Sequence, residues 1–314
     1  MLLICLSVIT NLVKVARKAK YFVTLCCTKL KTPHTMKTLL RAFVLVVAAL
    51  LVACGAPEVS RYKVISYNIR ILTDYDTDSL HWEVRKPATV AMIESEQPDL
   101  FALQESLLEQ TRYVESECPQ YVRIGVGQND EDPASEVNAI FYLRDKFDLV
   151  ERKTIWLSAT PDTCSRGWDA DYNRMATFVT LRDRSNDKQF TYVNTHFDHV
   201  GRVARIESAK LIAERVEALQ TAGAEAIIVG GDFNSELSDS LLIPMQAVLG
   251  YARSDSPVTD NKGTFNDWGR AAEGYIIDHI FYAGVAPQEY RTLDGDYGVP
   301  YISDHYPIAF TFEM

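Results

Sequence analysis

Long apolar runs, grouped cysteines and basic stripes are all scarce in this chain of 314 residues. The longest apolar stretch, residues 42–52, falls well short of the roughly 20 residues that span a bilayer as a helix. Cysteine occurs six times, too sparsely for a disulfide scaffold, and no Cys/His group has the spacing of a thiolate-rich zinc site. Beyond Cys54 there is no internal repeat, low-complexity tract or Gly/Ser-rich linker, so nothing divides residues 61–314 into separate domains. Positive charge is also thin there. Eight of the 32 Lys/Arg lie in the first 54 residues, which hold no Asp or Glu. The other 260 residues therefore set 24 basic against all 42 acidic side chains, a balance of −18. So acidic a surface repels polyanions, and no stable nucleic-acid partner is expected. What is abundant is ordinary: 47% apolar and 24% charged residues, a globular composition that excludes disorder.

The N-terminal region reads as targeting rather than fold. A positive start, Met36-Lys37-Thr38-Leu39-Leu40-Arg41, precedes the apolar run and then Leu51-Val52-Ala53-Cys54. A charged start, about a dozen apolar residues and a small-residue processing site make a secretory signal. A cysteine directly after Leu-Val-Ala resembles the bacterial lipobox, in which that cysteine is diacylated and becomes the new N-terminus. The expectation is a signal peptide over 36–53, a lipid anchor at Cys54 and a short tether over 54–60. Residues 1–35 fit best as a mis-called upstream extension, with a cleaved or disordered leader as the alternative. Cys118 and Cys164 either pair in an oxidising compartment or remain two thiols; the sequence leaves both open.

Residues 61–314 alternate short strands and helices. Strands are predicted over 64–67, 100–103, 139–143, 148–156, 176–181, 190–194, 226–229, 276–282 and 308–312. Helices are predicted over 82–96, stopped by Pro98, and over 202–219, where Ile206, Ala209, Ile212, Ala213, Val216 and Leu219 share one face. Strands in pairs with only two or three helices predict a layered sheet core with helices outside.

Polar groups recur at the ends of these apolar segments: Asn68, Glu105, His196, Asp232 with Asn234, Asp278, and Asp304 with His305. A carboxylate beside a buried strand is costly to desolvate unless a metal, a cation or hydrogen bonds meet it. One such residue is an ordinary turn or cap. Six segments with the same ending point to a site.

The motifs Ser66-Tyr67-Asn68-Ile69-Arg70, Leu103-Gln104-Glu105, Asn194-Thr195-His196-Phe197-Asp198, Gly231-Asp232-Phe233-Asn234, Ile277-Asp278-His279 and Ser303-Asp304-His305 occur in that order. Their sequence resembles the endonuclease/exonuclease/phosphatase superfamily of metal-dependent phosphoesterases. The resemblance covers essentially all of residues 60–314. It implies a four-layered α/β sandwich, two mixed sheets face to face with helices on both outer sides, which agrees with the strand reading. It also implies Mg²⁺, replaceable by Mn²⁺, bound by Glu105 with Asn68 and Asp304. Asp232 matches the residue that orients or deprotonates the attacking water, and Asn234 the residue that holds phosphate or positions Asp232. His305 matches the histidine at the phosphoryl group, with Asp278 on its other ring nitrogen, and His196 a second histidine on the phosphate. Arg70, Arg174 and Asp198 are weaker candidates for substrate contact.

This chemistry suits the residue types. Phosphate ester hydrolysis brings a nucleophile to an anionic centre, so charge neutralisation dominates the barrier. Oxygen ligands suit a hard divalent cation. The expected protein is an exported, lipid-anchored monomer that hydrolyses a small phosphate ester or a lipid head group in a single step. A surface nuclease is the alternative, and a non-catalytic ligand-binding lipoprotein of the same fold is the alternative from another class.

Overall fold

A computed structural model describes residues 59–314, apart from 130, 131, 133, 134, 272 and 273. The expected signal peptide and Cys54 lie outside the described residues. Twelve strands form two six-stranded sheets among the described residues. The first sheet has the order β11-β12-β1-β2-β4-β3: β1 is Arg61–Asn68, β2 Leu100–Ser106, β3 Tyr121–Ile124, β4 Val137–Leu143, β11 Ala286–Thr292 and β12 Ile308–Glu313. The second has the order β5-β6-β7-β8-β10-β9: β5 is Phe147–Trp156, β6 Met175–Asp183, β7 Gln189–His196, β8 Ile227–Asp232, β9 Gly250–Tyr251 and β10 Asp278–Ala283.

Each sheet has one parallel pair at its centre, β1 with β2 and β7 with β8; the pairs flanking these are antiparallel. Parallel neighbours need a crossover, and both crossovers run through a long helix. These are α1 (Trp82–Glu96) between β1 and β2, and α3 (Arg202–Thr221) between β7 and β8. The apolar stripe of α1, including Trp82, Met92 and Ile93, packs with Ile65, Phe101 and Leu103 from the outer face of the first sheet. That of α3, including Ala209, Ile212 and Val216, packs with Val193, Ile227 and Val229 from the second. Between the sheets, Val64, Ile140, Tyr192, Ile228, Ile280 and Phe310 belong to one apolar cluster. The expected four layers are there.

The predicted strand over 276–282 begins two residues later, at Asp278, opposite Asp232 where β8 ends; one further ladder bond, from Phe233 N–H to Ile277 O at 2.9 Å, continues beyond it. Three short or polar elements escape periodicity. Helix α2 (Leu108–Glu117) buries only Gln110, Thr111 and Val114, β3 is four residues long, and β11 is an edge strand with Pro287 and three charged or amide side chains. Cys118 packs in the cluster under α1, the Cys164 thiol donates to Gln128 O at 3.4 Å, and no disulfide joins them. Among the described residues no helix is long and apolar enough to cross a membrane.

Candidate active site

The C-terminal ends of the two parallel pairs come together at one edge of the sandwich. Side-chain hydrogen bonds cross between the sheets there, among them those of two amides. Asn68 Nδ2 donates to Asp232 Oδ2 at 3.0 Å, and Gln104 Nε2 donates to Asn194 Oδ1 at 2.7 Å. Parallel strands reach this edge with their last residues and antiparallel ones with their first. Asn68, Glu105, His196 and Asp232 therefore end strands, as expected. Asp278 instead opens β10, and Asp304 and His305 precede β12. The sequence pattern had placed all six at strand endings; topology supplies two of them from strand beginnings.

The backbone is bent at three of these positions. Glu105 has φ 57° where the β2–β4 register slips between Leu103 and Ser106, a bulge that re-aims its carboxylate. Arg70 and Asn234 also lie in the left-handed region, with φ 61° and 46°. Each is the third residue of a short turn closed by the side chain two positions earlier. Arg70 N–H donates to Asn68 Oδ1 at 3.0 Å, and Asn234 N–H donates to Asp232 Oδ1 at 2.8 Å. Two matching turns, rather than the alternation of an extended chain, thus set the places of Arg70 and Asn234. Gly231 permits β8 to lie close to β7; a Cβ there would sit 2.1 Å from Thr195 O.

Arg70, Glu105, Arg174, His196, Asp232, Asn234, Asp304 and His305 all line one cleft of about 770 Å³. Burial opposes ionisation of Glu105, but the neighbouring His196 and His305 rings, the Asn68 amide and Arg70 outweigh it and hold the carboxyl at about 2. Asp232 is pushed up from its ordinary value by burial and by the Asp278 charge. Asp304 is pushed up by burial and by Glu105. The His305 Nδ1–H donates to Asp278 Oδ2 at 2.8 Å, and its Nε2 lies 3.7 Å from Asp232 Oδ2. Although burial disfavours the charged ring, Asp278, Asp232 and Asp304 raise it well above the usual imidazole range. His196 Nε2 faces the same Asp232 oxygen at 3.6 Å. Arg174 Nη1 meets His196 Nδ1 at 2.8 Å, and Asn234 Nδ2 meets its Nε2 at 3.1 Å, so the ring is fixed from both sides.

Three candidates are held by contacts within the protein. Asn68, expected as a metal ligand, presents its amide N–H to Glu105 Oε1 (3.0 Å) and Asp232, while its oxygen accepts the Arg70 N–H. It orients the carboxylates. Asp198, expected at the substrate, is buried with Oδ2 accepting the Asp171 and Tyr172 N–H groups and Oδ1 those of Val200 and Gly201. These four donors offset its burial and hold it at about 2, so it shapes a loop and braces Arg174 at 3.6 Å. Arg174 is in the cleft wall, but its guanidinium is committed to His196 and to the Asp198 and Glu136 carboxylates.

Sequence reasoning missed Glu136, which also lines the cleft. It stands just before β4, which runs antiparallel to β2, so a search for acids at strand starts would have found it. It also missed Gln110, whose Oε1 accepts the Leu72 N–H and whose Nε2 donates to Arg70 O, bracing the bent segment after β1. No local signal marks that residue.

The donor set fits a hard divalent cation. Ligand atoms of Glu105, His196 and Asp232 lie within 4.8 Å of one another, and the carboxylates are crowded enough to raise Asp232 and Asp304. A dication relieves that repulsion.

Two facing sheets with a carboxylate–imidazole cleft at their shared edge define a phosphoester hydrolase of the metal-dependent kind. Residues 65–305 match the model of the Endonuclease/Exonuclease/phosphatase family, and the chain belongs to it. Among solved structures it is similar to a family member from Bacteroides thetaiotaomicron (31% identity, TM-score 0.77, 82% of this chain and 97% of that one). It is likewise similar to a mannosyl-6-phosphatase of the same organism (32% identity, TM-score 0.76, 80% and 99%). An uncharacterized protein of Acanthamoeba polyphaga mimivirus is 28% identical over 254 residues, 74% of this chain and 92% of that protein.

Proposed function

We propose that the protein hydrolyses small phosphate monoesters with Mg²⁺, sugar phosphates being the leading class. The observation that carries the reading is Asp232, a carboxylate made more basic by burial, standing between the Nε2 atoms of His196 and His305. Asp232 takes the proton of the attacking water. His305, kept charged by Asp278, and His196 hold the phosphoryl oxygens as charge builds on them. Glu105 and Asp304 would hold the metal, which would supply electrostatic neutralisation of the phosphate charge. Attack is direct, with no covalent enzyme intermediate. Substrate class is favoured by three observations: a cleft of about 770 Å³, the −18 balance of the region after residue 54, and the mannosyl-6-phosphatase neighbour. The Cys54 anchor belongs to the same proposal and places the enzyme on a bacterial envelope membrane.

A substrate panel tests it: hexose 6-phosphates, glycerol phosphate, inositol phosphates, a generic phosphodiester, oligonucleotides and plasmid DNA, each with Mg²⁺ or Mn²⁺. Sugar phosphates should be turned over fastest, activity should stop with a chelator, and Glu105→Gln should lose it while folding normally. Preference for DNA or RNA would replace the reading with the nuclease. Fatty-acid labelling should disappear in Cys54→Ala; labelling that persists rejects the anchor.

A further inference from the structure

Arg85 is fully buried on α1, outside the set of residues that line the cleft. Its Nη1 donates to Ile69 O at 2.9 Å and to Ile302 O at 2.7 Å, and its Nε donates to Leu80 O at 2.6 Å. The guanidinium carbon lies 5.5 Å from the Trp82 ring centre and 5.2 Å from that of Trp268, and Nη2 has no hydrogen-bond acceptor. A buried cation held by carbonyls and ring faces rather than by a carboxylate of its own costs several kcal/mol in desolvation. What it holds explains its place. Ile69 is the residue before Arg70 with its left-handed backbone, and Ile302 leads into Ser303, whose hydroxyl donates to Asn68 O at 2.7 Å, and Asp304. Trp268, in contrast, is on the cleft wall, in a turn where Asp267 and Trp268 have φ 46° and 56°. That turn is tied back to the same end of the cleft, since the Asn266 and Asp267 N–H groups both donate to Asp304 O, at 2.8 and 3.1 Å. Two adjacent non-glycine residues in the left-handed region persist only where their surroundings over-determine them.

We propose that Arg85 is a positioning residue that couples the wall at Trp268 to the carboxylate end of the cleft, one guanidinium plane fixing both. Its fork sets the chain segments that carry Asn68 and Asp304, and its face seats the Trp268 indole beside the substrate. Arginine is required because lysine offers neither a planar fork nor a stacking face. Substrate that packs on Trp268 thereby steadies the groups that hold the metal, and metal binding steadies Trp268.

The test is Mn²⁺ titration of the purified full chain by calorimetry, with kcat and KM measured alongside on its best small phosphate ester. Arg85→Lys should lose about tenfold or more in Mn²⁺ affinity and in kcat, as is typical when groups that orient ligands are removed. Trp268→Leu should show a smaller loss of Mn²⁺ affinity with a raised KM. Wild-type Mn²⁺ affinity in either variant, with only a lower melting temperature, overturns the coupling. If Arg85→Lys does not fold, the Trp268→Leu titration decides alone. The inference rests on the proposed hydrolysis only through kcat. Normal Mn²⁺ binding with no turnover of any ester would reject that function and leave the coupling to be judged by affinity. Absence of Mn²⁺ binding in the wild type overturns both.

Discussion

The two ends of the sandwich bury their side chains equally and for different reasons. At the far end the space between the sheets holds Val64, Tyr192, Ile228, Phe310 and Phe312, all at 1% exposure or less. At the cleft end the central strands offer Asn68, Gln104, Asn194 and Asp232, also at 1% or less. Apolar burial stabilises the first end outright, by roughly 25 cal/mol per Å². The second gains only what its hydrogen bonds return, and each missing partner costs about 1–3 kcal/mol. A cleft rich in buried carboxylates is a structure that the apolar end has to hold shut. Substitutions at the far end should therefore cost stability, and those at the cleft should cost turnover.

The largest expected effect is at His305. His305→Ala should lower turnover by about 10²–10⁴-fold, the usual range for a group in proton transfer or charge stabilisation. Asp278→Asn should cost a comparable amount, and the double variant should be little worse than His305→Ala, because the two act as a unit. The sign of the pH effect follows from the pair. Asp278 raises the His305 value, and activity needs the charged ring, so its alkaline limit should move to lower pH in Asp278→Asn. Fully additive losses in the pH–rate profiles of the three variants would dissolve the pairing.

At the other end, Phe310→Ala should cost about 3–5 kcal/mol in urea unfolding, with kcat per folded molecule unchanged. A clean kcat loss there would mean the two ends are not separable in this way.

His279 sharpens the comparison, since it is a cleft-end strand residue that takes no part in the cleft. It is fully buried, bonds Ser235 O at 2.8 Å and Tyr251 Oη at 3.0 Å, and burial lowers it to about 4. Unfolded imidazole takes up its proton near 6.5, so between about pH 6.5 and 4 the unfolded chain binds more protons and stability is lost as the pH is lowered, by up to about 1.4 kcal/mol per unit. His279→Gln should flatten that acid slope relative to wild type in unfolding measured from pH 7 to 4. Parallel slopes would reject the assignment.

The smallest effect belongs to the exposed pair at the start of β1, where Arg61 Nη2 meets Glu313 Oε1 at 2.9 Å. Arg61→Ala should change stability by less than about 1 kcal/mol and leave turnover alone.

Much of this was legible in the chain. Strand interiors such as those of β7 and β8 declared themselves because burial on both faces demands near-continuous apolar runs, and the α3 stripe because 3.6-residue periodicity is the mark of one buried helix face. The chemistry of the site was legible too, since carboxylates, amides and imidazoles beside buried strands need a shared reason for being there. Family membership followed from the order of those motifs. Other features belong to the tertiary structure alone. Whether a strand brings its first or its last residue to the cleft depends on its direction in the sheet, which is why Glu136 was missed and Asp278 and His305 were placed at the wrong ends of their strands. The bulge at Glu105 and the turns at Arg70 and Asn234 come from pairing across the sheets and not from local preference. The oxygens of Asn68 and Asp198 meet backbone N–H groups that only the chain's three-dimensional course supplies. The sequence determined which chemistry is present, since that depends on residue type; position, protonation and partner depend on neighbours far along the chain, and only folding brings those together.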